Sequence, residues 1–218
     1  MSYKNVHFIF IFLLGVIITI LFNTHKESFQ VTKAQKNVIL VGDSILKNNS
    51  YVSYDKSVEY LLNVKNGGNC YNFAQDGAII TDCYYQVDKV PYSLDNASST
   101  IYLSVGGNDI ITNYIKRPNK TSLTQMFKSY TKLVETVQTK LHLSTLVLLD
   151  VYYPHDIFYK PYYGVIKKWN NMIHSFVLNN ANIHGLEVSN IFNKKADFTF
   201  SIEPSEVGTQ KMVGLMIN

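Results

Sequence analysis

The chain has 218 residues, of which 46% are hydrophobic and 17% charged, with 20 lysines and arginines against 16 aspartates and glutamates. This composition suits one globular domain with an appendage and excludes a disordered or repeat protein. No dense basic cluster accompanies the net charge of +4, so the sequence gives no support for nucleic-acid binding. Cys70 and Cys83 lie outside any CxxC or histidine-rich pattern, which favours buried thiols over a disulfide and gives no support for a metal site.

The N-terminal segment is predicted to be a membrane anchor. Residues 6–22 are predominantly apolar, and no formally charged side chain lies between Lys4 and Lys26. Crossing a bilayer takes about 20 apolar residues, which this segment reaches with its flanks. A signal peptide usually has a shorter apolar core and a small-residue cleavage site, and no such site follows Phe22. We therefore expect an uncleaved, single-pass anchor over residues 1–25, with a cleaved signal segment as the alternative.

A polar tether over residues 26–36 is predicted to join this anchor to the rest of the chain. Only Lys4 and the amino terminus are positive on the other side of the anchor, whereas the tether carries Lys26, Lys33 and Lys36. By the positive-inside rule, the lysine balance favours a cytoplasmic domain.

Beyond the tether, short apolar runs alternate with helical periodicity. Residues 37–42 form a β-branched run that ends in glycine, as expected of a buried parallel strand. Similar runs follow at 69–74, 99–107, 144–153 and, more weakly, 183–188. Apolar residues spaced by three and four predict helices over 122–141 and around Trp169. This alternation predicts a parallel sheet with helices on both faces.

A final helix is predicted after Pro204. Its apolar spacing predicts that it buries three side chains, those of Val207, Met212 and Leu215.

Glycine-rich and polar stretches follow four of these strands, at 42–44, 72–77, 106–109 and after Asp150. Ligands of such sheets bind at the carboxyl ends of the strands. A serine oxygen attacks an acyl carbon only if a base accepts its proton and donors stabilise the oxyanion. Ser44, expected to be exposed in a strand-to-helix turn, is the candidate nucleophile. Its backbone N–H, the Gly77 N–H and the Asn108 side-chain amide are the candidate oxyanion donors.

Three blocks of sequence, VGDSIL, NFAQDG and SVGGND, resemble the first three blocks of the SGNH or GDSL-type esterase/lipase superfamily, in order and at the usual spacing. The resemblance covers about residues 37–217 and implies an SGNH-hydrolase-like domain over 37–218. The implied fold is a flavodoxin-like three-layer α/β/α sandwich with a five-stranded parallel sheet. The family's nucleophile falls on Ser44 and its oxyanion residues on Gly77 and Asn108, with no cofactor or metal required.

The resemblance also bears on the side of the membrane. Most anchored hydrolases of this size face outward, so family analogy favours an extracytoplasmic domain, against the lysine balance of the N-terminal flanks.

The family's general base is missing from its usual position. The last block of the family usually reads D-x-x-H-P before the final helix, whereas this chain has Glu203 at the histidine position and Phe200 at the aspartate position. Glu203 could itself be the base if burial against Phe200 and Ile202 raises its pKa from about 4.3. Alternatively, His155, next to Asp156 in the loop after the fourth strand, supplies the base. In a third interpretation catalysis is lost, and the chain is a binding protein on the same scaffold.

The loop over residues 152–163 carries six aromatic side chains. Aromatic faces with polar tips suit sugar rings or acyl chains, and a lid packed on the core is the alternative. The sequence thus predicts a membrane-anchored serine esterase that acts on a small-molecule, glycan or lipid ester through acyl-Ser44. The alternative is a catalytically impaired binding protein that lacks the histidine base.

Overall fold

Five parallel strands form the central sheet of the region that the structure, a computed structural model, describes, residues 36–116 and 121–217. The strands are β1 (Asn37–Gly42), β2 (Cys70–Asn72), β3 (Ser99–Ser104), β4 (Thr145–Leu149) and β5 (Ile183–Leu186). Their spatial order is β2-β1-β3-β4-β5, with every pair parallel. This is the strand order of flavodoxin-like sheets. The α/β fold with a five-stranded parallel sheet is therefore confirmed.

Six α-helices accompany the sheet in the described region: α1 (Val58–Lys65), α2 (Ile80–Lys89), α3 (Gly107–Ile110), α4 (Leu123–Lys140), α5 (Tyr163–Leu178) and α6 (Glu206–Met216). Serine hydroxyls cap three of them by accepting a backbone N–H of the first turn: Ser57 at α1, Ser122 at α4 and Ser205 at α6. The helices predicted from apolar spacing, α4, α5 and α6, are confirmed.

The predicted buried face of α6 is partly wrong. Met212 is fully buried as expected, but Val207 is 50% exposed and Leu215 is only half-buried. The buried residues are Gly208, Thr209, Met212, Val213 and Met216, so the apolar stripe lies one position further along the chain than predicted. Small residues at 208 and 209 face inward because α6 packs closely against neighbouring backbone: a Cβ on Gly208 would lie 2.2 Å from the Asp197 carbonyl oxygen.

Shorter elements complete the fold. A π-helical segment, Ile111–Lys116, continues directly from α3, and an antiparallel hairpin of two two-residue strands, β6 (Phe198–Thr199) and β7 (Glu203–Pro204), precedes α6. The 3-10 turns are Asn48–Ser50, Tyr54–Lys56, Tyr92–Leu94, Ile157–Tyr162, Val188–Asn190 and Lys195–Asp197.

Alternate side chains of β1 point to opposite faces of the sheet and enter two separate cores. Ile39 and Val41 pack with residues of α2, α4 and α5. Val38 and Leu40 pack with residues of α1 and α6. The sheet therefore lies between two helical layers, as a parallel sheet requires. Cys70 and Cys83 are buried free thiols, as predicted.

The predicted anchor over residues 1–25 and nearly all of the predicted tether lie outside the described residues. Within 36–116 and 121–217, none of the helices has both the length and the apolar character needed to cross a membrane.

The carboxyl end of β1 runs unusually close to β3. Gly42 is in register with Ser104 and has a φ of +144°. A Cβ on Gly42 would lie 1.9 Å from the Ser104 carbonyl oxygen. Only glycine permits this backbone conformation together with this approach.

We expect Gly42→Ala to lower the free energy of unfolding by about 3 kcal/mol or more, because the new methyl group forces β1 and β3 apart inside the core. Urea unfolding measures this change. Gly164→Ala is the matched control: Gly164 lies in the first turn of α5, and a methyl group added there would meet no heavy atom within 4 Å. That substitution should raise stability by up to about 1 kcal/mol. Equal unfolding midpoints for the two variants would contradict the argument.

Candidate active site

Ser44 lies in a single helical turn that directly follows β1. The amides of Leu46 and Lys47 both donate to the Asp43 carbonyl at 3.1 Å. The turn ends there because Lys47 leaves the helical region, with a ψ of 57°. The prediction that Ser44 begins a helix is therefore wrong, and so is its predicted exposure, since Ser44 is 8% exposed. Ser44 lines a cavity of about 60 Å³ that opens at the carboxyl end of the sheet.

Gln86 of α2 holds the backbone that leads to Ser44. Its Oε1 accepts from the Gly42 N–H at 2.7 Å, and its Nε2 donates to the Gly42 carbonyl at 2.9 Å. Gln86 is completely buried. Strand β2 ends at Asn72, which pairs with Leu40. Beyond that point the Gly42 carbonyl also accepts from the Gln75 N–H at 3.0 Å, and the Gln86 side chain supplies the partner of the Gly42 N–H. Sequence reasoning missed Gln86, although a polar residue on the apolar face of a helix was a signal.

The two candidate oxyanion residues lie on adjacent segments. Gly77 is exposed and adopts a φ of +71° in a tight turn. Asn108, in α3, donates its side-chain Nδ2 to the Ala78 carbonyl at 3.1 Å and thereby ties the two segments together. Asn108 lines the same cavity as Ser44, whereas Gly77 is not among its lining residues. The side-chain amide has two N–H groups, so Asn108 retains one for a ligand.

Glu203 begins β7 and lines the cavity together with Ser44. Burial raises the pKa of Glu203 above its ordinary value, while the nearby Ser44 hydroxyl lowers it in part. Its Oε2 atom is buried and has no hydrogen-bond partner among the described residues. The structure thus brings together Ser44 and Glu203, two residues far apart in the sequence.

The hairpin loop before Glu203 has an uncommon backbone. Phe200 and Ser201 have φ values of 45° and 70°, which non-glycine residues seldom adopt and which cost free energy. Two contacts hold this loop: the Tyr152 hydroxyl donates to the Ile202 carbonyl at 2.7 Å, and the Phe200 ring lies edge-on to Tyr51 at 6.0 Å. The expectation that Phe200 buries the carboxylate is wrong, because Phe200 is 72% exposed. Ile202 and Tyr152 line the cavity instead.

A second carboxyl group, that of Asp43, lines the same cavity as Ser44 and Glu203. Burial raises the pKa of Asp43 to about 7; the Ile45 N–H lowers that pKa, and the negative charge of Glu203 raises it. The Ser104 hydroxyl donates to Asp43 Oδ1 at 3.3 Å. Asp43 is the more deeply buried of the two residues, at 7% exposed, whereas Glu203 is half-buried.

These carboxyl groups do not form a metal site. In the described part of the chain, no group of three or more histidine, cysteine, aspartate or glutamate side chains is placed to hold a metal ion.

The histidines lie elsewhere. His155 is exposed and lines a different pocket, together with Tyr153 and Lys167 but without Ser44 or Glu203. His174 Nε2 lies 3.1 Å from Asp150 Oδ2, and Asp150 also accepts the backbone N–H and hydroxyl of Ser189. Asp150 lines the Ser44 cavity, but no histidine of the described region does.

The aromatic loop over residues 152–163 contains both side chains that line the Ser44 cavity and side chains that pack against each other. Tyr152, Tyr159 and Tyr162 line the Ser44 cavity. Tyr153 and Tyr163 pack against each other with ring centroids 5.1 Å apart. Part of the loop therefore faces a ligand site, and part is packed on the domain.

Comparison with known proteins rests on structure alone, because no family model and no curated protein matches the sequence. A member of the lipolytic protein G-D-S-L family from Veillonella parvula matches with a TM-score of 0.66 at 18% identity, covering 84% of this chain and 96% of that chain. Phospholipase A1 from Streptomyces albidoflavus matches with a TM-score of 0.61 at 14% identity over 84% and 98%. A family 3 carbohydrate esterase from Clostridium thermocellum matches with a TM-score of 0.59 at 19% identity over 83% and 92%. The resemblance to GDSL-type proteins is thus confirmed at the level of the fold.

We expect Gln86→Met to destabilise the protein by about 1–3 kcal/mol, because it leaves the buried Gly42 N–H without a partner. The loosened end of β1 should also slow the reaction of Ser44 with a fluorophosphonate probe. Urea unfolding and the labelling rate measure the two effects. Gln125→Met, at an exposed position of α4, should change stability by less than about 0.5 kcal/mol and leave labelling unchanged. Identical behaviour of the two variants would rule out a positioning role for Gln86.

Proposed function

We propose that the chain is a serine hydrolase that cleaves a carboxylic ester through an acyl-Ser44 intermediate. The observation that carries this proposal is that Ser44 and the half-buried Glu203 line the same cavity, with the Ser44 hydroxyl among the groups that shift the pKa of Glu203. Neighbours with this fold include a phospholipase and a carbohydrate esterase, which supports ester hydrolysis in general and makes lipid and glycan esters the candidate substrates.

In the first half of the reaction, Glu203 accepts the Ser44 proton as the Ser44 oxygen attacks the ester carbonyl. The resulting oxyanion is held by the Ser44 N–H and the free N–H of the Asn108 amide; the Gly77 N–H joins them only if its turn moves toward the cavity, which Gly77 does not line in this structure. Protonated Glu203 then gives its proton to the departing alcohol oxygen, and the acyl group stays on Ser44.

In the second half, water replaces the alcohol. Glu203 takes a proton from the attacking water, the same donors hold the second tetrahedral intermediate, and the carboxylic acid leaves as Ser44 recovers its proton from Glu203. One carboxylate therefore serves alternately as base and acid.

Glu203 suits the role of base because of its surroundings. A carboxylate of ordinary pKa is a weak base for a hydroxyl, and burial raises the pKa of Glu203.

Glu203→Gln should lower kcat for a p-nitrophenyl ester by about 10²–10⁴-fold, because the amide cannot accept the Ser44 proton. Ser44→Ala should lower it at least as much and abolish fluorophosphonate labelling.

Wild-type kcat should fall toward acid pH with a midpoint above 4.5, since the Glu203 carboxylate must be ionised to accept the proton and its pKa is raised. Steady-state kinetics across pH, together with probe labelling, measure these effects.

The variant His155→Ala distinguishes the two candidate bases, His155 and Glu203. Because His155 lies in another pocket, this variant should keep wild-type kcat; a loss as large as that of Glu203→Gln would make His155 the base instead. If the folded wild-type protein neither hydrolyses esters nor reacts with the probe, the chain is a binding protein on this scaffold.

We further propose that residues 1–25 anchor the domain in a membrane as a single span, with the domain on the extracytoplasmic side. The apolar stretch over 6–22, free of formally charged side chains, supports the anchor. Family analogy alone supports the outward orientation, and the lysines after the anchor oppose it.

The full-length chain should stay in the membrane pellet after carbonate extraction, whereas a chain that begins at residue 26 should be recovered in the supernatant. A protease added outside intact cells should degrade the domain if it faces outward. Release of the full-length chain by carbonate would contradict the anchor, and complete protection from the protease would place the domain inside.

A further inference from the structure

A buried hydrogen bond joins the segment after β1 to helix α6. Asn48 donates its Nδ2 to Thr209 Oγ1 at 2.6 Å, and the two residues are 1% and 0% exposed. Met212 and Val213, which follow on the same face of α6, belong to the apolar core. Burying polar groups there costs free energy, whereas an apolar side chain would fill the space without that cost. Packing alone therefore does not call for this polar pair.

The neighbouring contacts give this hydrogen bond a fixed direction. The Thr209 hydroxyl donates its single hydrogen to the Ser205 carbonyl at 2.8 Å, so its oxygen accepts from Asn48. Asn48 Oδ1 accepts the Val58 N–H at 2.9 Å, so the amide turns its own N–H toward Thr209. A continuous chain of hydrogen bonds thus runs from the first residue of α1 to Ser205, the residue that caps α6.

This chain ties together the two segments that carry the proposed nucleophile and base. Asn48 follows Ser44 by four residues, and Ser205 follows Glu203 by two. Neither Asn48 nor Thr209 lines the Ser44 cavity. Any effect that they have on the reaction therefore passes through the positions of Ser44 and Glu203.

The β6–β7 hairpin, which carries Glu203, depends on outside contacts. The backbone of the loop before Glu203 is strained, and strained backbone persists only where its surroundings hold it. Tyr152 holds that loop through a backbone carbonyl at 2.7 Å. On the other side of Glu203, the hydrogen bonds of Thr209 hold Ser205. A hydrogen bond fixes both a distance and a direction, which apolar packing does not.

We infer that Asn48 and Thr209 are positioning residues, which hold the Ser44 turn and the Glu203 hairpin at the separation that proton transfer between them requires. This inference rests on the proposed acyl-Ser44 chemistry and extends it to two residues outside the cavity. Proton transfer needs its two heavy atoms within about 2.6–3.2 Å of each other. A misplacement of about 1 Å can slow a reaction about 10²-fold.

The variant Thr209→Val keeps the shape of the side chain and removes its hydroxyl. In the full-length enzyme, kcat for p-nitrophenyl acetate should fall about ten-fold or more. KM should change less than about two-fold, because no residue that lines the cavity is altered. The acid midpoint of kcat should also move to lower pH, since a loosened hairpin admits water to Glu203 and burial is what raises its pKa.

The variant Thr209→Ser tests whether the hydroxyl or the packing matters. It keeps the hydroxyl and loses a methyl group, so kcat should stay within about two-fold of wild type even if the thermal unfolding midpoint falls. If Thr209 served only packing, kcat would follow thermal stability instead. Should Thr209→Val not fold, Thr209→Ala replaces it, because that variant differs from Thr209→Ser in the hydroxyl group alone.

The matched control is Ser53→Ala, which removes an exposed hydrogen bond between the same two segments. The Ser53 hydroxyl donates to Glu206 Oε1 at 2.9 Å. Because water replaces this partner, kcat and its acid midpoint should stay at the wild-type values.

The inference is overturned if the folded hydroxyl-free variant keeps the kcat and acid midpoint of wild type, or if Thr209→Ser loses as much kcat as that variant. In either case the proposed function stands, provided that the wild type hydrolyses the ester and Glu203→Gln does not. Absence of hydrolysis and of fluorophosphonate labelling in the folded wild type overturns both.

Discussion

The close approach of β1 to β3 at Gly42 is the constraint on which the candidate site depends. The strand delivers Asp43 and Ser44 into a turn whose position is fixed by the Ser104 backbone on one side and by the Gln86 side chain on the other. A nucleophile must be held to within a fraction of an ångström of its productive position. Here the position of Ser44 depends on buried backbone that is held by these contacts.

A carboxylate in the place of an imidazole needs a different environment. Imidazole has a pKa near neutrality even in water, whereas a carboxyl group must be removed from water before it becomes a useful base. In the proposed role of Glu203 as base, the hairpin meets this condition in part: Tyr152 holds its loop through the Ile202 carbonyl, and the Glu203 Oε2 atom is buried. The strain at Phe200 and Ser201 is compatible with a site held in place by its surroundings.

The sequence predicted the sheet well, because strands and helices are encoded by local patterns. Five apolar runs with turn-forming ends identified five parallel strands, and spacings of three and four identified α4, α5 and α6. The buried face of α6 was predicted one position out of phase, since Gly208 and Thr209 face inward for reasons of backbone contact that hydrophobicity does not report. The predicted helix start at Ser44 is wrong because the sequence does not reveal that the chain leaves the helical region at Lys47.

What the sequence alone determined is the set of segments that end at one edge of the sheet, and with it the candidate nucleophile and the position of Glu203 in the family's last block. Only the tertiary structure decided which of these side chains meet. Glu203 reaches Ser44, whereas His155, which follows β4 at the same edge, is carried into another pocket by its loop. Periodicity records how each segment is buried, but contacts between distant segments depend on how the whole chain packs.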